Sequence, residues 1–366
     1  MFRQFLAWLL VFVLISSTYQ PVLAQEFNIQ TLPVPGTMVG LSSSFVPVVL
    51  KGMAVNSQKP LEFQFIIDTG KGSQAIAAIK DDASHLVKYF LAGLTVPDKD
   101  LWVNLSPYEK DRIIPEALGQ TELGRDLLAQ DYILKQLTAS LIYPEKELGK
   151  AFWAKVYKQA QEKFGTTNIP VNTFNKVWIL PNQAQVFENN NSAYITKSTL
   201  KVMLEEDYVA LRQNNKEKVA STLGSQIVRE VVLPAIEKEV NNGTHFAPLR
   251  QIYQALILAK WYKETVKNAL FETVYTDKSK IIGVNLNDVT LKQQIYDRYL
   301  QAYKKGVFNY IREEQGNAGS SPRKYFSGGL NPMPHEIDHE GIASSVPADG
   351  ARVGFTVPLA KATLPA

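Results

Sequence analysis

Between positions 123 and 141 the chain carries Leu123, Leu127, Leu128, Ile133, Leu134, Leu137 and Leu141 at three-to-four-residue spacing, and Pro144 stops the run. A helix with such a stripe must bury it against other elements, so this segment sets the class of fold. The helical region is expected to span 106–165. "SPYEKDRI" offers Ser106 as N-cap, Pro107 at the first helical position and Glu109 three residues after the cap. A second helix from about Glu145 would turn Leu148, Phe152, Val156, Tyr157 and Ala160 inward before Gly165. Upstream, "SQAIAAIKDDASHLVKYFLAGL" reads as a helix closed by Pro97; downstream, 205–213, 216–241, 247–271 and 288–314 read as helices. The last would be capped by Asn287 or Asp288 and stopped near Gly316.

Two stretches have the other period. Residues 28–68 hold "FVPVVLKGM" and "LEFQFIID", rich in β-branched and aromatic residues and punctuated by Pro33, Pro35, Pro47 and Pro60. Residues 173–204 read as a short meander of three strands, with "ENNNS" as the turn between the second and third. The expected class is therefore α+β: one mostly helical globular domain over 25–315 with two separate β segments. Beyond Gly316 the chain is dense in Gly, Ser, Pro and Ala without apolar period, a composition that buries too little surface to offset its ordering entropy. Residues 316–366 are expected to be a largely disordered tail, with one short strand at "RVGFTVPL".

The first 24 residues read as an export signal: Arg3, an uncharged apolar run from Phe5 to Ile15, then Pro21 and a "VLA" ending that fits cleavage after Ala24. Eleven apolar residues are too few for a helix across a bilayer, which needs roughly 20. Export to the periplasm or the extracellular space is the expectation; an uncleaved N-terminal anchor is the alternative. The absence of cysteine removes disulfides, thiolate chemistry and a lipid attachment point. A net charge of +4 without a basic stripe gives no nucleic-acid footprint, so the expected partner is a protein or envelope ligand.

Two motifs suggest chemistry. Asp68-Thr69-Gly70 follows an apolar strand, as the catalytic loop of an aspartic protease does. That chemistry needs two carboxylates sharing a proton, and the chain has a single copy followed by Lys71 in place of a small residue. The alternative is a turn whose Asp hydrogen-bonds its own backbone. "GKGS" at 70–73 lacks the glycine a phosphate loop would carry where Phe65 stands. His335-Glu336-Ile337-Asp338-His339 matches the zincin pattern, in which a helix sets His335 and His339 on one face to hold zinc while Glu336 takes a proton from the metal-bound water. Pro332, Pro334 and Gly341 leave that helix about two turns, and short isolated helices are marginal in water. No cofactor is expected; zinc is the alternative that the motif offers. His85 and His245 stand alone and read as caps or surface groups, and the acidic triplet Glu205-Glu206-Asp207 reads as a helix first turn. Trp102, Trp153, Trp178 and Trp261 read as core.

Several stretches, "NLSPYEKDRIIPEALGQTELGRDLLAQDYILKQLTASLIYPEKELGKAFW", "NTFNKVWILP", "LKVMLEEDY", "LILAKWYKE" and "YKKGVFNYIREEQ" with "PRKYFSGG", resemble an uncharacterised family of predicted exported proteins from uncultured bacteria. The resemblance covers most of residues 30–329 and implies export without assigning an activity or a site residue. The expected function is an exported, non-catalytic binding or structural component of the cell envelope or secreted fraction. The alternative is a hydrolase acting through the zinc motif or through Asp68.

Overall fold

The computed structural model describes residues 31–56, 59–70, 76–107, 111–143, 147–165, 167, 177–189, 191–212, 225–226, 228–269, 291–304, 329–340 and 355–358. The expected leader over residues 1–24, Glu109, the expected cap at Asn287 or Asp288, and Gly316 lie outside these residues.

The fold is α+β and mostly helical. In chain order its elements are β1 (Val49–Asn56), β2 (Lys59–Asp68), α1 (Ile76–Thr95), α2 (Glu116–Gly119), α3 (Glu122–Leu141) and α4 (Glu147–Phe164). Then come β3 (Val177–Asn189), β4 (Ser192–Leu204), α5 (Glu205–Arg212), α6 (Leu233–Asn242), α7 (Ala247–Ala269) and α8 (Leu291–Lys304), followed by β5 (Gly329–Leu330), β6 (Asp338–Glu340) and β7 (Phe355–Pro358). All seven strands among the described residues share one sheet, ordered β5-β3-β4-β1-β2-β7, with β6 on the same outer edge of β3 as β5. No helix among the described residues is long and apolar enough to cross a membrane.

The two β segments expected to be separate are joined, because β1 pairs antiparallel with β4 through Gly52–Tyr194, Met53–Ala193 and Ala54–Ser192. The join needs the glycine: a Cβ at position 52 would lie 2.7 Å from the carbonyl oxygen of Ala193. The expected three-stranded meander is instead one long hairpin. At Pro181 the register slips by one residue before Gln183 and the ladder continues, a bulge that absorbs the missing amide donor.

Alternation along the strands gives the sheet an inner face. Phe63, Phe65 and Ile67 of β2 are buried while Gln64 is exposed. Phe63 packs edge-on against Phe90 of α1 and Tyr262 of α7, with ring centroids 5.2 and 5.0 Å apart. Helices α1 and α7 thus cover β1 and β2, and α3 packs behind them against α8. The opposite face carries a smaller cluster, Trp178, Leu180, Met203 and Tyr208, capped by α5.

The helix expected to start at Ser106 does not. Ser106 is fully buried in an irregular stretch, Pro107 is a bend, and Asp111–Pro115 is not helical. The start signal in use is Thr121, whose hydroxyl accepts from the Gly124 amide at 3.0 Å and donates to the Leu118 carbonyl at 2.7 Å. In α4, Phe152 is buried as expected, whereas Tyr157 is 46% exposed and lies over Trp153. Residues 33–48 form no strand; 33–39 run along α3, and 42–48 pass beside α6 and the start of α7. Along α3, Tyr132 donates to the Pro33 carbonyl (2.7 Å), Gln136 to the Thr37 carbonyl (3.1 Å), and Ser140 accepts from the Val39 amide (2.9 Å).

Within the Gly/Ser/Pro-rich segment 316–366, two stretches are described, and both belong to the sheet. Gly329–Leu330 pairs in parallel with Trp178–Ile179, and Asp338–Glu340 pairs with Gln185–Phe187. Phe355–Pro358, inside the one strand expected there, pairs antiparallel with Glu62–Phe65. Leu330, Met333 and Ile337 are buried in the main core. A domain ending at 315 therefore leaves out part of its own sheet.

Candidate functional site

The Asp68-Thr69-Gly70 corner ends β2. The Gly70 amide donates to Asp68 Oδ1 at 2.9 Å, which closes an Asx turn, and Gly70 adopts φ +68°. The charge that faces Asp68 is Lys51, whose ammonium is pushed below its usual range by burial while the Asp68 carboxylate acts in the other direction. An aspartic dyad requires a second acid here, and this neighbour is a cation. A Cβ on Gly70 would lie 2.4 Å from the Val46 carbonyl oxygen in a backbone region that L-residues avoid. Gly70→Ala is therefore expected to lower stability by about 1–3 kcal/mol. Asp68→Asn, which keeps an acceptor for the Gly70 amide, should move it by less than about 0.5 kcal/mol. Paired urea denaturation curves of the two variants check the contrast.

The zinc motif is not on a helix. His335 and Glu336 sit exposed in the loop before β6, Ile337 is buried, and His339 lies in β6 opposite Val186. Extended chain separates positions i and i+4 by up to about 13 Å, against one turn on a helix, so the motif does not converge on a common point. His339 instead closes on Glu188 of β3, with Nδ1 2.5 Å from Oε1, and the same oxygen accepts from Trp261 Nε1 at 2.5 Å. Glu264 of α7 stands 3.9 Å from His339 Nε2. Among the described residues, no three His, Cys, Asp or Glu side chains are placed to hold a metal ion. Of the motif, His339 thus ties the edge of the sheet to α7.

The densest polar constellation lies elsewhere, between α1 and α3. Helical spacing places His85, Lys88 and Tyr89 on one face of α1, and Glu122, Arg125 and Asp126 on the first turns of α3. His85 bridges both carboxylates, with Nδ1 3.2 Å from Glu122 Oε1 and Nε2 3.2 Å from Asp126 Oδ2. Lys88 Nζ lies 2.9 Å from Glu122 Oε2, Arg125 Nε donates to Asp126 Oδ1 at 3.2 Å, and the Tyr89 hydroxyl donates to Asp126 Oδ2 at 2.7 Å. Glu122 is 1% exposed and His85, at the rim, 25%.

Burial opposes a charge on His85, but its contacts with Asp126 and Glu122 outweigh that and push its pKa up to about 9. Burial works against the Glu122 carboxylate too, yet His85 and Lys88 hold it below its usual range; His85, Arg125 and Tyr89 do the same for Asp126. Burial, reinforced by Asp126 and Glu122, drives the Tyr89 phenol well upward. At neutral pH the cluster is thus three cations against two anions, with the phenol neutral. A protonated imidazole has no lone pair with which to take a proton, and the shifts of His85, Tyr89, Glu122 and Asp126 all lead away from neutrality. The expectation that His85 is a lone cap or surface group gives way to a half-closed ion lattice. His245, by contrast, is a surface group as expected, its Nε2 3.2 Å from the Gly40 carbonyl oxygen.

A second buried charge pair continues along α3. Asp131 is fully buried, bonded to Lys135 and accepting from the Leu105 amide at 2.5 Å. Burial nonetheless raises its pKa against the pull of Lys135 and Leu105. Of the tryptophans read as core, Trp261 is fully buried and Trp178 stacks on Tyr208 with centroids 4.4 Å apart. No family model, curated protein or solved structure matches this chain. The fold and its polar sites therefore carry the functional argument.

Proposed function

We propose that this protein is exported through its N-terminal leader and serves as a non-catalytic binding or structural component of the cell envelope or secreted fraction, engaging a protein or envelope ligand. The observation that carries this reading is the state of the polar groups best placed for chemistry. His85 is protonated and spans two carboxylates, Asp68 closes its own turn beside Lys51, and His339 is committed to Glu188. Each is consumed by a structural contact. The leader and the cysteine-free composition support export without disulfide or lipid attachment.

The test uses the chain from Gln25. After dialysis its zinc content is expected to fall well below one equivalent, and unfolded protein substrates should survive incubation with it at acidic pH and at neutral pH with added zinc. Acid proteolysis abolished by Asp68→Asn, or zinc-dependent hydrolysis abolished by His335→Ala and by Glu336→Gln, would replace this reading with a hydrolase. Expression with the leader intact, followed by N-terminal sequencing of the exported product, checks the predicted new terminus at Gln25.

A further inference from the structure

We propose that β7 is an exchangeable strand and that the outer edge of β2 is a docking site for residues Phe355–Pro358 of a second copy of this chain. The proposal is independent of the function argued above and rests on topology. One C-terminal stretch supplies both borders of the sheet: β5 and β6 line β3, and β7 lines β2. The two attachment points lie almost level. Glu340 sits beside Phe187, Phe187 beside Tyr194, Tyr194 beside Gly52 and Gly52 beside Ile66, while Phe355 sits beside the next residue, Phe65. Five strand spacings separate them, about 24 Å.

Fourteen residues, 341–354, connect Glu340 to Phe355. Drawn out, a connection of that length reaches about 50 Å. That reach exceeds the separation about twofold, so a connection of this length can serve its own sheet or deliver its strand to a neighbouring molecule. The pairing itself is small: β7 covers Glu62–Phe65, four of the ten residues of β2. A four-residue edge strand ending in Pro358, which has no amide to donate, is held by few ladder bonds and opens at low cost. The strand that docks is identical within a chain or between chains, so the connection decides which form prevails. The register Glu62–Pro358 to Phe65–Phe355 shows that this edge fits this sequence, which is why the occupant is a second copy. Reciprocal exchange closes a two-fold dimer.

Light scattering after size exclusion separates the outcomes. Deleting 343–350 leaves six residues in the connection, a reach of about 23 Å, too short to pass over a face of the sheet. That variant is expected to be predominantly dimeric, with dimerisation strengthened on the order of a hundredfold over the intact chain from Gln25. A chain ending at Glu340 keeps β5 and β6, loses the donor strand and should be monomeric. A folded, monomeric deletion variant would overturn the proposal, as would a chain ending at Glu340 that dimerises as well as the intact one. Should the deletion variant fail to fold, a fluorescent peptide of residues 352–360 decides. It should bind the chain ending at Glu340 and not the intact protein, and no binding to the shortened chain overturns the exchange.

Discussion

A chain ending at Gly316 is expected to lose its cooperative melt, although the removed segment reads in sequence as a dispensable tail. Leu330, Met333 and Ile337 are each nearly fully buried in the main core. Burying such side chains contributes about 1.5–3 kcal/mol apiece, and realistic unfolded chains lower the sum somewhat. Even so, roughly 3–8 kcal/mol is a large share of the stability of an ordinary domain. The backbone is knitted in as well. Leu330 exchanges two hydrogen bonds with Val103, both 3.0 Å, and the Asn331 amide donates to the Ile179 carbonyl at 3.2 Å. Gly329 leaves no space for a side chain, since a Cβ there would lie 1.9 Å from the Val103 carbonyl oxygen. Removing the segment exposes the Trp178–Phe187 edge of β3 and the core beneath it. Thermal denaturation followed by circular dichroism, with dye binding as a probe of exposed apolar surface, should show a broad, weak transition for the chain ending at Gly316. An unchanged melt would mean that Leu330, Met333 and Ile337 add nothing to the core.

What sequence reasoning reached and missed follows from the range of the interactions. The helices over 123–141, 205–213 and 247–271 were legible because their apolar spacing and their stops are local, and the structure places them at Glu122–Leu141, Glu205–Arg212 and Ala247–Ala269. The sheet was legible only as fragments. Nothing local to "LKGMAV" specifies that Gly52 will sit against Ala193, and nothing in "GLNPMPHEIDH" announces that three spaced apolar residues, Leu330, Met333 and Ile337, are enough to seat it. The site was missed for a related reason. In α3 the leucine stripe says nothing of Glu122, Arg125, Asp126, Gln130, Asp131 and Lys135 between its members, and the neighbouring elements cover that side too, so these residues are buried. The signal that remained was the spacing itself. Three polar groups with titratable partners at 85, 88 and 89 and three charges at 122, 125 and 126 are two helical faces of matching size, but only the packing of α1 on α3 brings them together.

That packing makes a sharp prediction in pH. An ordinary imidazole titrates near 6.5, whereas His85 in the folded protein holds its proton to about 9. The folded state therefore binds a proton that the unfolded chain has already released across this window. The stabilisation is complete below the ordinary value and is lost as pH rises through the folded one. A shift of this size corresponds to about 3 kcal/mol, so urea midpoints should decline steadily from near neutrality to pH 9 and then level as far as His85 is concerned. The carboxylates work on the other limb: Glu122 and Asp126 are held below their usual ranges, so their contribution persists at neutral pH and disappears on acidification. His85→Gln should start lower at neutral pH and lose most of the alkaline slope. If that variant falls in parallel with the unmodified chain, another group carries the slope. Removing an anion instead should cost more. Glu122→Ala leaves Lys88 and His85 facing a buried gap beside Arg125, with Asp126 the sole remaining carboxylate of the five charges in the lattice. An unpaired buried charge costs about 3–5 kcal/mol. The cheapest relief is for His85 to give up its proton, so the Glu122→Ala chain should show both the lower midpoint and a His85 titration moved back toward 6.5, visible in the imidazole resonances.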